Sequence, residues 1–313
     1  MLFATSARLI AGAIVLFGLL GCATPQQKIE LASLPIPLQV ELSEVPFYAQ
    51  EDHQCGPAAL AMLLNAGGVE VLPQQLESQV YLPSRKGSLQ VEMLAATRRN
   101  GLLAYELQPE LEAVLAEVAA GSPVLVLQNL AFSWYPVWHY AVVVGYDLHS
   151  KEIILRSGHE QRQSMSFAHF LSTWRHANNW AMVAVQPGTL PVNATEETYV
   201  AAAVAFDKTA ASNHQAIFSV ALEHWPNNLT ALIGSGNACY LQGEMVCAER
   251  FYRQATLNHQ NSAIAFNNLS LVLVEQQRFS EALKAINHAI ALGGAMSAAA
   301  NDTLEQIITE MVR

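Results

Sequence analysis

Cys55 and His139 are two residues whose types and surroundings could together perform nucleophilic catalysis. Cys55 directly precedes Gly56-Pro57 and an apolar stretch that predicts a helix. Its sulfur would then lie at the positive end of the helix dipole, which favours a thiolate, the nucleophile of cysteine hydrolases. His139 begins an apolar segment that predicts a strand, and an imidazole at the edge of a buried strand can act as a general base. The alternatives are an inert buried cysteine and a structural histidine.

Gln50 is a third candidate, because it lies five residues before Cys55 in the turn that leads to the predicted helix. Its side-chain amide could point an N–H group toward the same place as the backbone N–H of Cys55. Two such donors would form an oxyanion hole, in which the loss of one donor costs about 3–4 kcal/mol of transition-state stabilisation. The alternative is an ordinary turn residue.

The segments around these candidates predict helices first and antiparallel strands afterwards. This order is typical of an α+β domain and not of alternating βαβ units. The predicted helices cover residues 55–68, 73–80, 88–99 and 111–121. Residues 39–50 predict a strand that leads into a turn, and further strands are predicted over residues 123–130, 139–147, 151–158 and 180–187. We therefore expect one domain over residues 41–186.

Two short strings of this domain carry a resemblance to a known family. CGPAAL at Cys55, with a glutamine upstream, and HYAVVVGY at His139 resemble the bacteriocin-processing (double-glycine leader) peptidases, a papain-like family, over about residues 43–186. The resemblance implies a papain-like cysteine peptidase fold with Cys55 as nucleophile, His139 as base and Gln50 in the oxyanion hole. The family's glutamine usually stands six residues before the cysteine, one more than here.

The family also places an aspartate on the strand after the histidine strand, and this chain departs from that pattern. A hairpin that turns near residues 148–150 would bring residues 158–160 opposite His139. No aspartate occurs there; alignment with the family favours Ser157 as a tentative orienting residue, and Glu160 is the alternative. Asp147 would lie about 26 Å from His139 along an extended strand. We therefore expect a Cys–His dyad with weaker control of the imidazole.

The first 22 residues predict an export signal and not a part of the fold. Arg8 precedes the apolar stretch LIAGAIVLFGLL, which has the length of a signal-peptide core and is short for a membrane span. The stretch ends in LLGC, which resembles a bacterial lipobox with Cys22 as the lipidated residue. Ala23 at the next position implies the outer membrane, and residues 23–40 would form a tether. An ordinary signal peptide or a short anchor helix is the alternative.

Residues 187–197 predict a linker, and the alanine-rich residues 198–313 after it predict helices only. Alanines recur at a spacing of 34 residues, as at Ala221, Ala255 and Ala289. This spacing resembles tetratricopeptide (TPR) repeats, whose concave surface binds peptides or partner proteins. Residues 301–313 would form a capping helix with Asp302 as its N-cap. The combination resembles a group of proteobacterial lipoproteins with such a peptidase domain and TPR repeats.

The composition excludes several classes of function. A net charge of −10 and the lack of a basic run argue against a nucleic-acid partner. No GxxxxGK[ST] motif occurs, so an exporter ATPase is excluded. The cysteines show no metal-ligand spacing, and we expect neither a metal site nor a cofactor. Cys239 and Cys247 are either buried packing residues or a disulfide.

These patterns lead to one principal hypothesis and two alternatives. The principal hypothesis is an envelope lipoprotein, facing the periplasm, that hydrolyses peptide bonds and binds a substrate or a protein partner through its TPR repeats. The first alternative is a catalytically weak or inactive peptide-binding and scaffolding module. A transglutaminase or amidase reaction on the same Cys–His pair is the second, because fold alone does not select the reaction. Trp134, Tyr135 and Trp138 would either line the substrate cleft or lie in the core.

Overall fold

A computed structural model describes residues 35–50, 54–206 and 211–312, apart from the side chains of residues 211–213. The predicted signal sequence, the lipidation of Cys22 and most of the predicted tether lie outside the described residues. Among the described helices, none combines the length and hydrophobicity that crossing a bilayer requires.

The apolar segment after Cys55 forms helix α1 (Cys55–Ala66), which lies at the centre of the N-terminal core. Every residue from Gly56 to Leu64 is buried, because the segment is apolar on all sides and not on one stripe. Pro57 lies in the first turn, where its missing N–H removes no helical hydrogen bond. The chain leaves the helix through Gly68, whose φ of +87° is favourable for glycine.

A seven-stranded antiparallel sheet packs against α1 and confirms the predicted α+β fold. Its strands are β1 (Gln39–Glu41), β4 (Leu103–Glu106), β5 (Val124–Asn129), β6 (Trp138–Asp147), β7 (Glu152–Ser157), β8 (Glu160–Ser166) and β9 (Ala181–Val185). The order is β4-β9-β5-β6-β7-β8, and β1 pairs with β6. Two further strands, β2 (Tyr81–Leu82) and β3 (Gly87–Ser88), form a separate hairpin around the short 3₁₀ helix Pro83–Arg85.

The remaining helices of this part are α2 (Pro73–Val80), α3 (Gln90–Arg99), α4 (Leu111–Ala119) and α5 (Phe167–Arg175). Four strands and one helix were not predicted from the sequence, namely β2, β3, β4, β8 and α5. In the segment 39–50, where a strand leading into a turn was predicted, the first three residues form the strand and pair with β6.

Gly145 lets β1 approach β6 closely. A Cβ atom at Gly145 would lie 2.5 Å from the carbonyl oxygen of Val40, which is too close for any other residue. The pairing of β6 with β7 shifts between Val143 and Gly145, so a bulge accompanies the contact. The glycine in the HYAVVVGY string therefore has a structural function in the sheet.

The C-terminal helices pack as successive antiparallel pairs, which confirms the predicted TPR fold. They are α6 (Glu196–Ala205), α7 (Ala211–His224), α8 (Leu229–Leu241), α9 (Met245–Asn258), α10 (Ala263–Glu275), α11 (Phe279–Leu292) and α12 (Ser297–Val312). A Cβ atom at Gly236 would lie 2.3 Å from the ring of Tyr252, so glycine allows α8 and α9 to pack closely.

Two details of this region bear on the expectations from sequence. One contradicts a prediction, and the other decides between two alternatives. The final helix begins at Ser297, four residues earlier than predicted, so Asp302 is an exposed residue inside the helix and not its N-cap. Cys239 and Cys247 form a disulfide between α8 and α9. Glu244 lies close to both sulfurs, but the sulfurs are bonded to each other and not free to bind an ion.

Glu117 connects the sheet domain to the segment that leads into the repeats. Its side chain, which lies on α4, is only 1% exposed and accepts a hydrogen bond of 2.8 Å from the backbone N–H of Val192. Burial raises the pKa of Glu117 from 4.5 to about 7, although the N–H groups of Val192 and Asn193 oppose this shift. Glu117 therefore changes its protonation state near neutral pH at this junction.

We expect the stability of the protein to fall as the pH rises from 4.5 to 7 because of Glu117. The folded state holds a proton on this carboxyl over that range, whereas the unfolded chain releases it. The effect amounts to at most about 3 kcal/mol. Urea unfolding of the natural chain and of Glu117→Gln at several pH values measures it. A stability difference between the two proteins that does not change with pH would contradict the prediction.

Candidate active site

Cys55 is the first residue of α1, and its thiol is mostly buried beside β6. Burial raises the pKa of this thiol, and the backbone N–H groups of Tyr140, Gly56 and Cys55 itself oppose the shift only in part. The helix start alone predicted a thiolate, but desolvation has the larger effect here. Cys55 is therefore a neutral thiol at neutral pH in the absence of substrate.

His139 lies near the beginning of β6, and its imidazole is partly buried. Burial lowers its pKa, so the ring is neutral and can accept a proton. Its Nε2 atom lies 2.9 Å from the hydroxyl oxygen of Ser157 on β7. If Nε2 carries the proton and donates to Ser157, Nδ1 is the free acceptor that a general base requires.

Tyr140, which directly follows His139, joins the histidine strand to Cys55. Its backbone N–H faces the sulfur of Cys55, and its phenol donates a hydrogen bond of 3.3 Å to the carbonyl of Ser88. Burial and the charge of a Cys55 thiolate both raise the pKa of this phenol. The strand position that follows His139 therefore lies directly against the start of α1. Sequence reasoning missed Tyr140, although it belongs to the HYAVVVGY string.

Gln50 also lies against Tyr140, and its side chain is only 5% exposed. Its backbone N–H donates to the carbonyl of Gly158 (3.0 Å), and its Nε2 donates to the carbonyl of Tyr140 (3.3 Å). One of the two amide hydrogens is thus engaged, and the second remains for another acceptor. The Oε1 atom has no hydrogen-bond partner among the described residues.

Gly56 is required by the close approach of Ser88. A Cβ atom at Gly56 would lie 2.2 Å from the hydroxyl oxygen of Ser88, so only glycine fits beside Cys55. The Ser88 hydroxyl is itself buried and makes no hydrogen bond within the part of the chain that the structure describes. The β2–β3 hairpin therefore covers the first turn of α1, a contact that sequence reasoning did not find.

The β6–β7 hairpin brings Ser157 and not a carboxylate to His139. Val142 pairs with Arg156, which agrees with the register predicted from the turn. Glu160, the alternative orienting residue, pairs with Ser157 across the β7–β8 turn and is exposed. Asp147 lies at the opposite end of β6, where it accepts hydrogen bonds from the backbone of the hairpin turn.

Arg156 holds together the two loops beside the site. Its buried guanidinium donates to the carbonyls of Ser43, Val45 and Gln161. These bonds connect the segment before Gln50 to the β7–β8 hairpin. Arg156 therefore supports the positions of both Gln50 and the neighbouring Ser157. Its sequence context, an apolar strand, did not predict this role.

Trp134, Tyr135 and Trp138 are exposed, so the expectation that they could belong to the core is wrong. They lie in the loop between β5 and β6 and at the first residue of β6, immediately before His139. Because these three residues lie beside His139, the expectation that remains is that they line the substrate cleft.

Comparison with known proteins agrees with this architecture. Residues 42–182 match the sequence model of the Peptidase_C39 like family, and no curated protein sequence matches the chain. A C39-like peptidase from Bacillus anthracis is 17% identical, with a TM-score of 0.41, and the alignment covers 47% of this chain and 98% of that one.

Two TPR domains align with the helical region. The Sgt2 TPR domain from Aspergillus fumigatus is 19% identical, with a TM-score of 0.34 and coverage of 38% of this chain and 82% of that one. The Arabidopsis OM64 TPR domain is 17% identical, with a TM-score of 0.32 and coverage of 36% and 94%. Residues 42–182 thus match the Peptidase_C39 like family, and the described residues after them form a helical region to which TPR domains align.

Proposed function

We propose that this protein is a cysteine peptidase that hydrolyses peptide bonds through Cys55 and His139. One observation carries the proposal: Cys55 at the start of α1 lies against β6 at the residue after His139, whose ring is hydrogen-bonded to Ser157. The nearby Gln50 amide adds support, since it has an N–H group to spare.

The reaction begins when Nδ1 of His139 takes the proton of the Cys55 thiol as the sulfur attacks the substrate carbonyl. The backbone N–H of Cys55 and the Gln50 amide stabilise the oxyanion. His139 then gives its proton to the departing amine, and the carbon–nitrogen bond breaks. Water, activated by the same imidazole, hydrolyses the acyl-enzyme and restores the thiol.

Ser157 limits the efficiency of this mechanism. A hydroxyl oxygen that accepts from Nε2–H orients the ring, but it stabilises an imidazolium less than a carboxylate, because charge-assisted hydrogen bonds are roughly twice as strong. This agrees with the raised pKa of Cys55, since both favour the neutral thiol–imidazole pair. We therefore infer that the enzyme uses general-base catalysis from a neutral pair rather than a preformed ion pair.

The raised pKa of Cys55 and the lack of a carboxylate at Ser157 also favour a second candidate function, a catalytically weak or inactive peptide-binding module. A neutral thiol and a neutral orienting residue would suit a site that binds a peptide and hydrolyses it slowly. Binding of a peptide by Cys55→Ala, together with no cleavage by the natural chain, would favour this candidate.

We also propose that the TPR helices bind a protein partner or the substrate, and that lipid on Cys22 anchors the protein to the outer membrane on its periplasmic side. The concave surface of helical repeats supports the first proposal, and the LLGC string supports the second. Release of a Cys22→Ser variant from the membrane fraction tests the anchor, and a variant that stays there would contradict it.

Alkylation of Cys55 by iodoacetamide tests the proposed peptidase mechanism. Because burial raises the thiol pKa, labelling should be slow at pH 6 and should accelerate up to and above pH 9. Mass spectrometry of the Cys55 peptide follows the reaction, and Cys55→Ala should lose the hydrolysis of labelled casein. Fast labelling at pH 6 would indicate an ion pair, and casein cleavage that persists in Cys55→Ala would exclude the proposal.

Substitution of Ser157 tests its role as the orienting residue. Ser157→Asp should raise kcat for casein hydrolysis about tenfold or more and shift Cys55 labelling to lower pH, because a carboxylate stabilises the imidazolium. Ser157→Ala should lower kcat and leave KM nearly unchanged. The control is Ser164→Asp, which adds the same charge at an exposed position of β8. Equal effects of the two aspartates would show that Ser157 does not act on His139.

A further inference from the structure

The loop between β5 and β6 presents a cluster of exposed aromatic side chains. We call residues 130–138 the aromatic hairpin. Trp134 is 79% exposed, Tyr135 68% and Phe132 65%, and Leu130, Val137 and Trp138 are exposed as well. The chain has no Asp, Glu, Lys or Arg between residues 122 and 146. Exposed apolar patches of this kind mark interaction sites.

The aromatic hairpin is held in one conformation by buried polar contacts. Asn129 is 1% exposed, and its Oδ1 accepts hydrogen bonds from the N–H groups of Ala131 (3.1 Å) and Val137 (2.9 Å). Its Nδ2 donates to the carbonyl of Phe132 (3.3 Å). The rings of Phe132 and Trp134 are stacked with their centroids 5.4 Å apart. A preformed surface loses little entropy when a ligand binds to it.

The aromatic hairpin lies at the histidine side of the proposed catalytic site. Asn129 pairs with Trp138 and Gln128 pairs with His139, so the hairpin leads directly into the catalytic strand. In the proposed mechanism His139 must reach the nitrogen of the leaving amine, to which it gives its proton. The part of the substrate that carries this nitrogen therefore lies on the side of the hairpin.

On the basis of the proposed peptidase function, we propose that the aromatic hairpin binds aromatic or large aliphatic side chains on the C-terminal side of the scissile bond. These side chains belong to the fragment that leaves as the amine when the carbon–nitrogen bond breaks. The acyl-enzyme on Cys55 retains only the N-terminal fragment. Contacts with the hairpin consequently accelerate acylation and are absent during deacylation.

The chemistry of the hairpin defines this substrate class. Its tip offers stacked and tilted aromatic rings, which favour aromatic partners beyond the effect of burial alone. It offers no side-chain charge with which an acidic or basic residue could pair. Peptides with Phe, Trp or Leu after the scissile bond thus fit the hairpin better than peptides with charged residues there.

Two peptides with the same residues before the scissile bond test the proposal, one with Phe-Leu and the other with Ala-Ala after it. The double variant Phe132→Ser/Trp134→Ser should lose about tenfold in kcat/KM on the Phe-Leu peptide. It should cleave the Ala-Ala peptide and a methyl ester of the shared acyl part as the natural chain does. The control is Val246→Ser, an 81% exposed apolar residue on α9, which should leave all three rates unchanged.

Equal losses on both peptides, or no loss on either, would overturn the proposal. Anisotropy of the labelled Phe-Leu peptide on Cys55→Ala separates binding from catalysis. If the peptide binds in a way that depends on Phe132 and Trp134 but the natural chain does not cleave it, the proposed peptidase function is contradicted. The hairpin would then still be supported as a site that binds peptides. If brominated phosphatidylcholine vesicles quench Trp134 while the peptide rates do not respond to the substitutions, the hairpin contacts a bilayer and the proposal fails.

Discussion

The packing of α1 against β6 is the constraint on which the remainder of the site depends. Since every residue from Gly56 to Leu64 is buried, the helix can occupy only one position in the core, with Tyr140 and other residues of β6 against it. Its first residue, Cys55, is thereby fixed beside the strand position that follows His139. Hydrophobic burial, which is strong and non-directional, thus fixes Cys55 beside Tyr140, one residue along the strand from His139.

The same burial determines the ionisation of the site. It raises the pKa of Cys55 and lowers that of His139, so both groups are neutral without substrate. A carboxylate beside the imidazole would counteract this effect, whereas the Ser157 hydroxyl orients the ring without adding charge. A substrate that excludes water and supplies a developing oxyanion near the donors of Gln50 and Cys55 would change this balance.

The predictable parts of the structure are those with a strong local pattern. The apolar run after Cys55 predicted α1, and the turn near residues 148–150 predicted the β6–β7 register that brings Ser157 to His139. Strand β8 has the exposed, polar sequence EQRQSMS and therefore gave no hydrophobic signal. The effect of burial on the Cys55 pKa could not be predicted, because it depends on the β2–β3 hairpin and β6, which are distant in sequence. At Asp302 a local pattern led to a wrong prediction. The capping motif predicted a helix start there, but the helix begins at Ser297 and the motif lies inside it.

Strand β6 carries the groups that the proposed hydrolysis must coordinate. Its first residues continue the aromatic hairpin, His139 is the proposed base, and the backbone of Tyr140 contacts both Cys55 and Gln50. Because these groups are successive positions of one strand, which pairs with β5 from Trp138 to Val143, their spacing is fixed by the backbone and not by flexible loops. The exposed aromatic rings are thus held at a constant distance from the imidazole, which is what selection of the leaving fragment requires. A residue change in the hairpin can consequently alter which substrate is acylated without moving the nucleophile.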